Sequence, residues 1–196
     1  MTTWRHFPEE DFMSRLAKAQ KAMREHNLDA LFLTEWENVY YLSGFQVIGF
    51  ASTRDWPFVL IVKKNGDTTI IVRGGMERIA REESWISNIK GYNRISDAGN
   101  AILDVLSTLG LKGARVGAEL GEMLAVKFST GLFLELVKTA GVEFVDGSKA
   151  IWDTRMRKTK FEVDRLREAA QIASRAGERA FGELRVGMTE CEFAGL

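Results

Sequence analysis

The chain has 196 residues, 27 basic and 27 acidic side chains, 45% hydrophobic content and 28% charged content. These are globular values that exclude a disordered chain, and the balanced charge leaves no global field to draw in nucleic acid or an anionic membrane. The length fits one ordinary domain plus an extra element, or two small domains.

Cys191 is the only cysteine. An internal disulfide is therefore excluded, and a reducing compartment is favoured over a secreted one. The N-terminal residues Trp4 to Asp11 lack the apolar stretch of a signal peptide. The longest strongly apolar run, Phe58 to Val62, is far too short to span a bilayer. The expectation is a soluble, cytoplasmic protein.

Apolar spacing at Phe12, Leu16, Ala19 and Met23 predicts a first helix from Glu9 to His26, with Pro8 near its first turn and Asn27 as its stop. A short strand follows over Ala30 to Thr34, and a second is predicted over Val39 to Leu42, closed by Ser43-Gly44. Phe58 to Val62 and Thr68 to Val72 flank Asn65-Gly66, a strong hairpin signal. Elements then alternate. Met76 to Glu83 reads as a helix and Ile89 to Tyr92 as a strand. Ser96 is a cap for a helix with Ile102, Val105, Leu106 and Leu109 on one face, ended by Gly110.

Next come a strand over Ala114 to Ala118, a helix over Leu124 to Thr139 and a strand over Val142 to Val145. This order implies an α/β sandwich with a mixed sheet, ending near Ile151. Residues 153–160 turn strongly polar. A long helix from Lys158 to Leu184 carries Leu166, Ala169, Ala173, Ala176 and Ala180 on one face, a stripe suited to close packing. Thr189 and Glu192 have the spacing of a capping box. A helix announced there and cut off within two turns has little to bury, since isolated helices under ~12 residues are marginal. The chain therefore reads as the front part of a longer protein.

Chemistry-bearing clusters are sparse. The two histidines, His6 and His26, have neither an i, i+4 partner nor a nearby cysteine, and read as surface imidazoles. No Gly-x-Ser-x-Gly elbow occurs. Cys191 in a helix's first turn reads as a small core residue. The glycines from Gly110 to Gly117 match no phosphate-loop spacing and are explained as a helix stop and a turn. The basic residues of 155–160 read as a solvated linker, and Glu9, Glu10, Asp11, Glu82 and Glu83 as exposed helix-end charges. Nothing supplies the converging carboxylates and histidine of a two-metal hydrolase. The richest stretch is Asn38 to Phe45 followed by Phe50, Arg54 and Trp56, where aromatics and a carboxylate-gripping guanidinium share a long loop. Phe50, Arg54 and Tyr41 are the candidate substrate contacts.

Asn38-Val39-Tyr40-Tyr41-Leu42-Ser43-Gly44-Phe45 resembles the Asn-x-x-Tyr-Leu-Thr/Ser-Gly-Phe/Tyr signature of the creatinase/prolidase N-terminal domain. Arg15-Leu16, Leu28-Asp29-Ala30-Leu31, Val116-Gly117-Ala118-Glu119 and Val145-Asp146-Gly147-Ser148 fit the same family in the same order. So do the junction from Arg155 to Arg167 and the segment Gly187-Met188-Thr189-Glu190.

The resemblance implies a mixed-sheet, ribonuclease-H-like N-terminal domain over residues 1–151. Residues 152–196 would then be a linker and the leading helices of an incomplete pita-bread catalytic domain. It also implies that the parent is a hydrolase, a Xaa-Pro peptidase or a creatinase-like C–N hydrolase. The divalent metal pair of peptidase members, held by two Asp, one His and two Glu, would lie beyond Leu196, and creatinase-type members need no metal. This chain is thus expected to hold no catalytic residue, metal or cofactor.

Family members are usually homodimers in which the N-terminal domain overhangs the partner's active site. In creatinase-type members a Phe and an Arg make that overhang. Phe50 and Arg54 are the nearest equivalents, at a spacing two residues longer. Small peptides or other small molecules are the implied substrates. The reading is a non-catalytic portion acting in assembly and substrate gating. Its alternatives are part of an active peptidase or creatinase-like enzyme, and a free-standing module that binds a small carboxylate ligand. Alone, the chain is expected to be a monomer or weak dimer.

Overall fold

The computed structural model describes residues 7–46 and 56–195. Two compact units divide between Met156 and Arg157.

In the first unit, α1 (Glu9–Glu25) leads into β1 (Ala30–Leu33), α2 (Trp36–Ser43), β2 (Val59–Lys63) and β3 (Thr68–Arg73). Then follow α3 (Glu77–Glu83), β4 (Ile89–Tyr92), α4 (Ala98–Thr108), β5 (Arg115–Ala118), α5 (Thr130–Thr139), β6 (Glu143–Asp146) and α6 (Ser148–Met156). The sheet order is β4-β3-β2-β1-β5-β6. β2 is antiparallel to both β1 and β3, whereas β1–β5, β5–β6 and β3–β4 are parallel. The run β3-β2-β1-β5-β6 with only β2 reversed is the expected ribonuclease-H-like arrangement, and β4 extends it at one edge.

Period-2 alternation divides the strands between two cores. Leu31, Leu33, Leu60, Val62, Ile70 and Val72 face α1, α2, α3 and α6. Ala30, Phe32, Val59, Ile61 and Ile71 face α4 and α5. The helices thus cover both faces of the sheet, as its nearly all-apolar inner strands require.

Several sequence expectations need correction. Val39 to Leu42 is not a strand but the heart of α2. Its buried residues are Asn38, Val39, Leu42 and Ser43, a helical spacing, and Gly44 ends the helix in the left-handed region at φ 76°. The predicted helix from Leu124 begins only at Thr130, because the amides of Ala125 and Lys127 are spent on Glu35 and Thr34. Ser96 does not cap α4. It lies in a 3-10 turn, Ile95–Asp97, closed by Asp97 accepting from Arg94 N. Asp11 is not an exposed helix-end charge but a buried partner of Arg15, at 2.7 Å.

In the second unit, α7 (Lys160–Glu183) and α8 (Glu190–Ala194) each begin with a capping box, Thr159 with Glu162 and Thr189 with Glu192. Leu166, Ala169, Ala173 and Ala176 are exposed along α7. Phe181 rests against Phe193 of α8 with ring centroids 5.8 Å apart. Cys191 is free and exposed rather than a core residue.

Candidate functional site

The polar centre of the first unit lies where β1 and β5 end side by side. β5 can run close to its neighbours because Gly117 has no side chain. A Cβ there would stand 2.7 Å from Leu28 Cδ1 and 3.0 Å from Gly147 Cα. The residue after the strand, Glu119, is fully buried. Its Oε2 accepts from Thr34 N at 2.6 Å, Thr34 Oγ1 at 2.7 Å and Glu35 N at 2.8 Å. Oε1 accepts from Asn38 Nδ2 at 2.7 Å. Burial holds this carboxyl above its ordinary value, an effect that the donors on Asn38, Thr34 and Glu35 offset only in part.

Each donor is itself held. Thr34 Oγ1 accepts from Lys127 N at 2.9 Å, Asn38 Oδ1 accepts from Arg155 Nη1 at 2.6 Å, and Glu35 pairs with Lys127 Nζ at 3.0 Å.

Tyr41 stands one turn further along α2. Its hydroxyl donates to Thr154 O at 3.3 Å, and its ring packs 4.4 Å from the Arg15 guanidinium. Arg15 also donates to Tyr41 O at 2.9 Å and lies over Phe7 at 4.1 Å. Between Asn38, Tyr41, Thr154 and Arg155 remains a cavity of about 10 Å³, room for one water and no larger ligand.

The stretch that carries the candidates Phe50 and Arg54 lies outside the described residues. Both stems of that stretch are fixed. On the leading side Gln46 N donates to Glu83 Oε2 at 3.0 Å, Ser84 Oγ to Ser43 O at 2.7 Å, and Trp85 Nε1 to Leu42 O at 2.8 Å. On the trailing side Trp56 stacks on Tyr92 at 6.1 Å, under the Arg73 guanidinium at 4.5 Å. The Tyr92 hydroxyl, its pKa pushed far up by burial, donates to Pro57 O at 2.7 Å.

Sequence reasoning quoted Glu119, Asn38, Arg15 and Arg155 within motifs without giving them a role. The local signal was a charged residue placed directly after the apolar strand Val116–Ala118; its meeting with the Thr34-Glu35 turn follows only from the pairing of β1 with β5. His26 is a partly exposed imidazole 2.7 Å from Asp153 Oδ2, and His6 lies outside the described residues. Gly110 and Gly113 take positive φ, 67° and 74°, as a helix stop and a turn demand.

Among the described residues no three His, Cys, Asp or Glu side chains are grouped as metal ligands. The surroundings of Glu119 also do not fit a cation, because every group that meets its oxygens is an N–H or O–H donor. No described helix is long and apolar enough to cross a membrane.

A two-faced mixed sheet with a donor-ringed carboxylate at its centre defines an α/β domain of ribonuclease-H-like topology. The family model described as the creatinase/prolidase N-terminal domain matches residues 15–157, and the chain belongs to that family. A Xaa-Pro dipeptidase of Pyrococcus furiosus is 28% identical over 92% of this chain and 45% of its own. A creatinase of a Bacillus species is 26% identical over 96% of this chain and 44% of its own. The solved prolidase of Pyrococcus furiosus superposes with a TM-score of 0.68 at 26% identity, covering 92% of this chain and 50% of its own. The chain spans about half the length of these relatives.

Proposed function

We propose that this chain serves as the non-catalytic N-terminal portion of a creatinase/Xaa-Pro peptidase-type hydrolase, contributing to dimer assembly and covering the partner's active site. The observation that carries the reading is one of extent. The family's N-terminal model accounts for residues 15–157, nearly the whole first unit, while the relatives run to about twice this chain's length. Small peptides or small C–N substrates would be met by Phe50, Arg54 and Tyr41, with the reacting groups supplied from outside these 196 residues. A divalent metal pair belongs to that outside part in the peptidase version of the reading. Residues 1–151 then act as the N-terminal domain, and 152–196 as linker and leading helices.

Covering a partner's site requires that copies meet, which sedimentation equilibrium tests. With the rest of the parent absent, the reading expects a monomer or a weak, reversible dimer, and a tight, well-folded dimer of the chain alone contradicts it. Calorimetric titration with Xaa-Pro dipeptides and with creatine is expected to give no heat. Saturable heat with either would favour a free-standing ligand module instead.

A further inference from the structure

β1 and β5 are adjacent and parallel, yet the chain leaves their carboxyl ends in opposite directions. After β1 it enters α2, packed on one face of the sheet; after β5 it reaches α5, packed on the other. Such a divergence opens a crevice at the carboxyl ends of the strands, the place where open α/β sheets bind ligands. Here the crevice also meets the start of α2, whose leading backbone amides point outward and favour negative charge.

The crevice is not vacant. The Glu119 carboxylate sits in it, fully buried, and takes the Thr34 and Glu35 amides as a bound carboxylate ligand would. The Thr34 hydroxyl and the Asn38 amide complete four donors on two oxygens.

From this arrangement we infer that Glu119 is a built-in anionic ligand, closing the sheet's switch-point crevice from within and latching α2 to the 120–129 segment. The latch reaches that segment because Thr34 and Glu35, while holding Glu119, also hold the Lys127 and Ala125 amides. Two consequences follow. The native domain offers no anion site at this crevice, so small ligands must be met elsewhere. The direction in which α2 delivers Gly44 to Gln46 is set by a side chain 75 to 73 positions later in sequence. The inference rests on the fold and the hydrogen bonds alone, and its failure leaves the proposed function standing.

Chemical rescue tests it. Glu119→Ala removes the atoms of an acetate. Thermal unfolding of the full chain should show a lowered Tm for Glu119→Ala. Sodium acetate should raise that Tm saturably above an equal concentration of sodium chloride, with no such difference for the unsubstituted chain. A Tm unchanged by Glu119→Ala overturns the inference, as does acetate acting no differently from chloride on that variant.

If Glu119→Ala does not fold, Glu119→Gln keeps the shape and replaces one acceptor by a donor. Amide exchange at Thr34 and Glu35 should then speed up by about tenfold or more while Ile61 keeps its protection. Equal protection at Thr34 and Glu35 in the two proteins overturns the inference.

Discussion

Arg15 is the bulkiest fully buried side chain among the described residues, at 1% exposure. A guanidinium is tolerated there because Asp11 supplies the counter-charge, Tyr41 O an acceptor, and Phe7 and Tyr41 flat faces. Removing one member of a buried pair strands the other's charge, which costs about 3–5 kcal/mol. Arg15→Met should therefore lose that much stability in urea unfolding at pH 7. A midpoint near that of the unsubstituted chain would show that the pair is dispensable.

Glycine makes a second prediction at this scale. A Cβ on Gly147 would stand 2.7 Å from Gly117 C and 2.8 Å from Gly117 Cα, where backbone cannot give way as a side-chain tip can. Gly147→Ala should cost about 1–3 kcal/mol or more by overpacking. Gly75→Ala, with nothing within 4 Å of its new methyl, should stay within about 0.5 kcal/mol. Equal midpoints for the two variants would contradict the close β5–α6 approach.

Among the elements, those with strong local periodicity were legible. The β2–β3 hairpin follows from its two apolar runs and the Asn65-Gly66 turn, and α1 from its single apolar face. α2 was misread because Val39-Tyr40-Tyr41-Leu42 is rich in residues that favour strands, and tertiary burial of Asn38, Val39, Leu42 and Ser43 outweighed that preference. The start of α5 was misread because long-range bonds to Thr34 and Glu35 draw the backbone before Thr130 away from helix, which no local pattern reports. The same holds for the site. Tyr41 could be singled out by composition, whereas the convergence of Thr34, Asn38 and Glu119 exists only once β1 and β5 are paired.

The β1 start offers a pH test of pairing. Asp29 is held below its ordinary value of 3.8 by the Lys64 ammonium first and the Arg115 N–H second. A carboxyl lowered on folding adds stability above its unfolded pKa and loses it as pH falls through the folded pKa. The stability gap between the unsubstituted chain and Asp29→Asn should hold from pH 7 to about pH 5 and close as the pH falls through the lowered folded-state pKa of Asp29. A gap that widens in acid would contradict the assigned bonds.

For the molecule as a whole, the two units carry different kinds of information. The first buries two complete cores about a six-stranded sheet and keeps its most buried carboxylate engaged in structure. The second presents Leu166, Ile172 and Phe181 to solvent along α7. Composition and the ordered motifs made the mixed α/β sheet readable in advance, whereas the structural employment of Glu119 was not. The proposed role, in which this chain supplies shape and the reacting groups come from outside it, makes a simple claim about chemistry. Incubation of the chain with Xaa-Pro dipeptides and with creatine, in the presence and absence of added Mn²⁺ or Co²⁺, tests it most directly. The account predicts no turnover above the protein-free blank and no stoichiometric metal retained after dialysis. Steady hydrolysis of either substrate, or one metal ion held per chain, would contradict it.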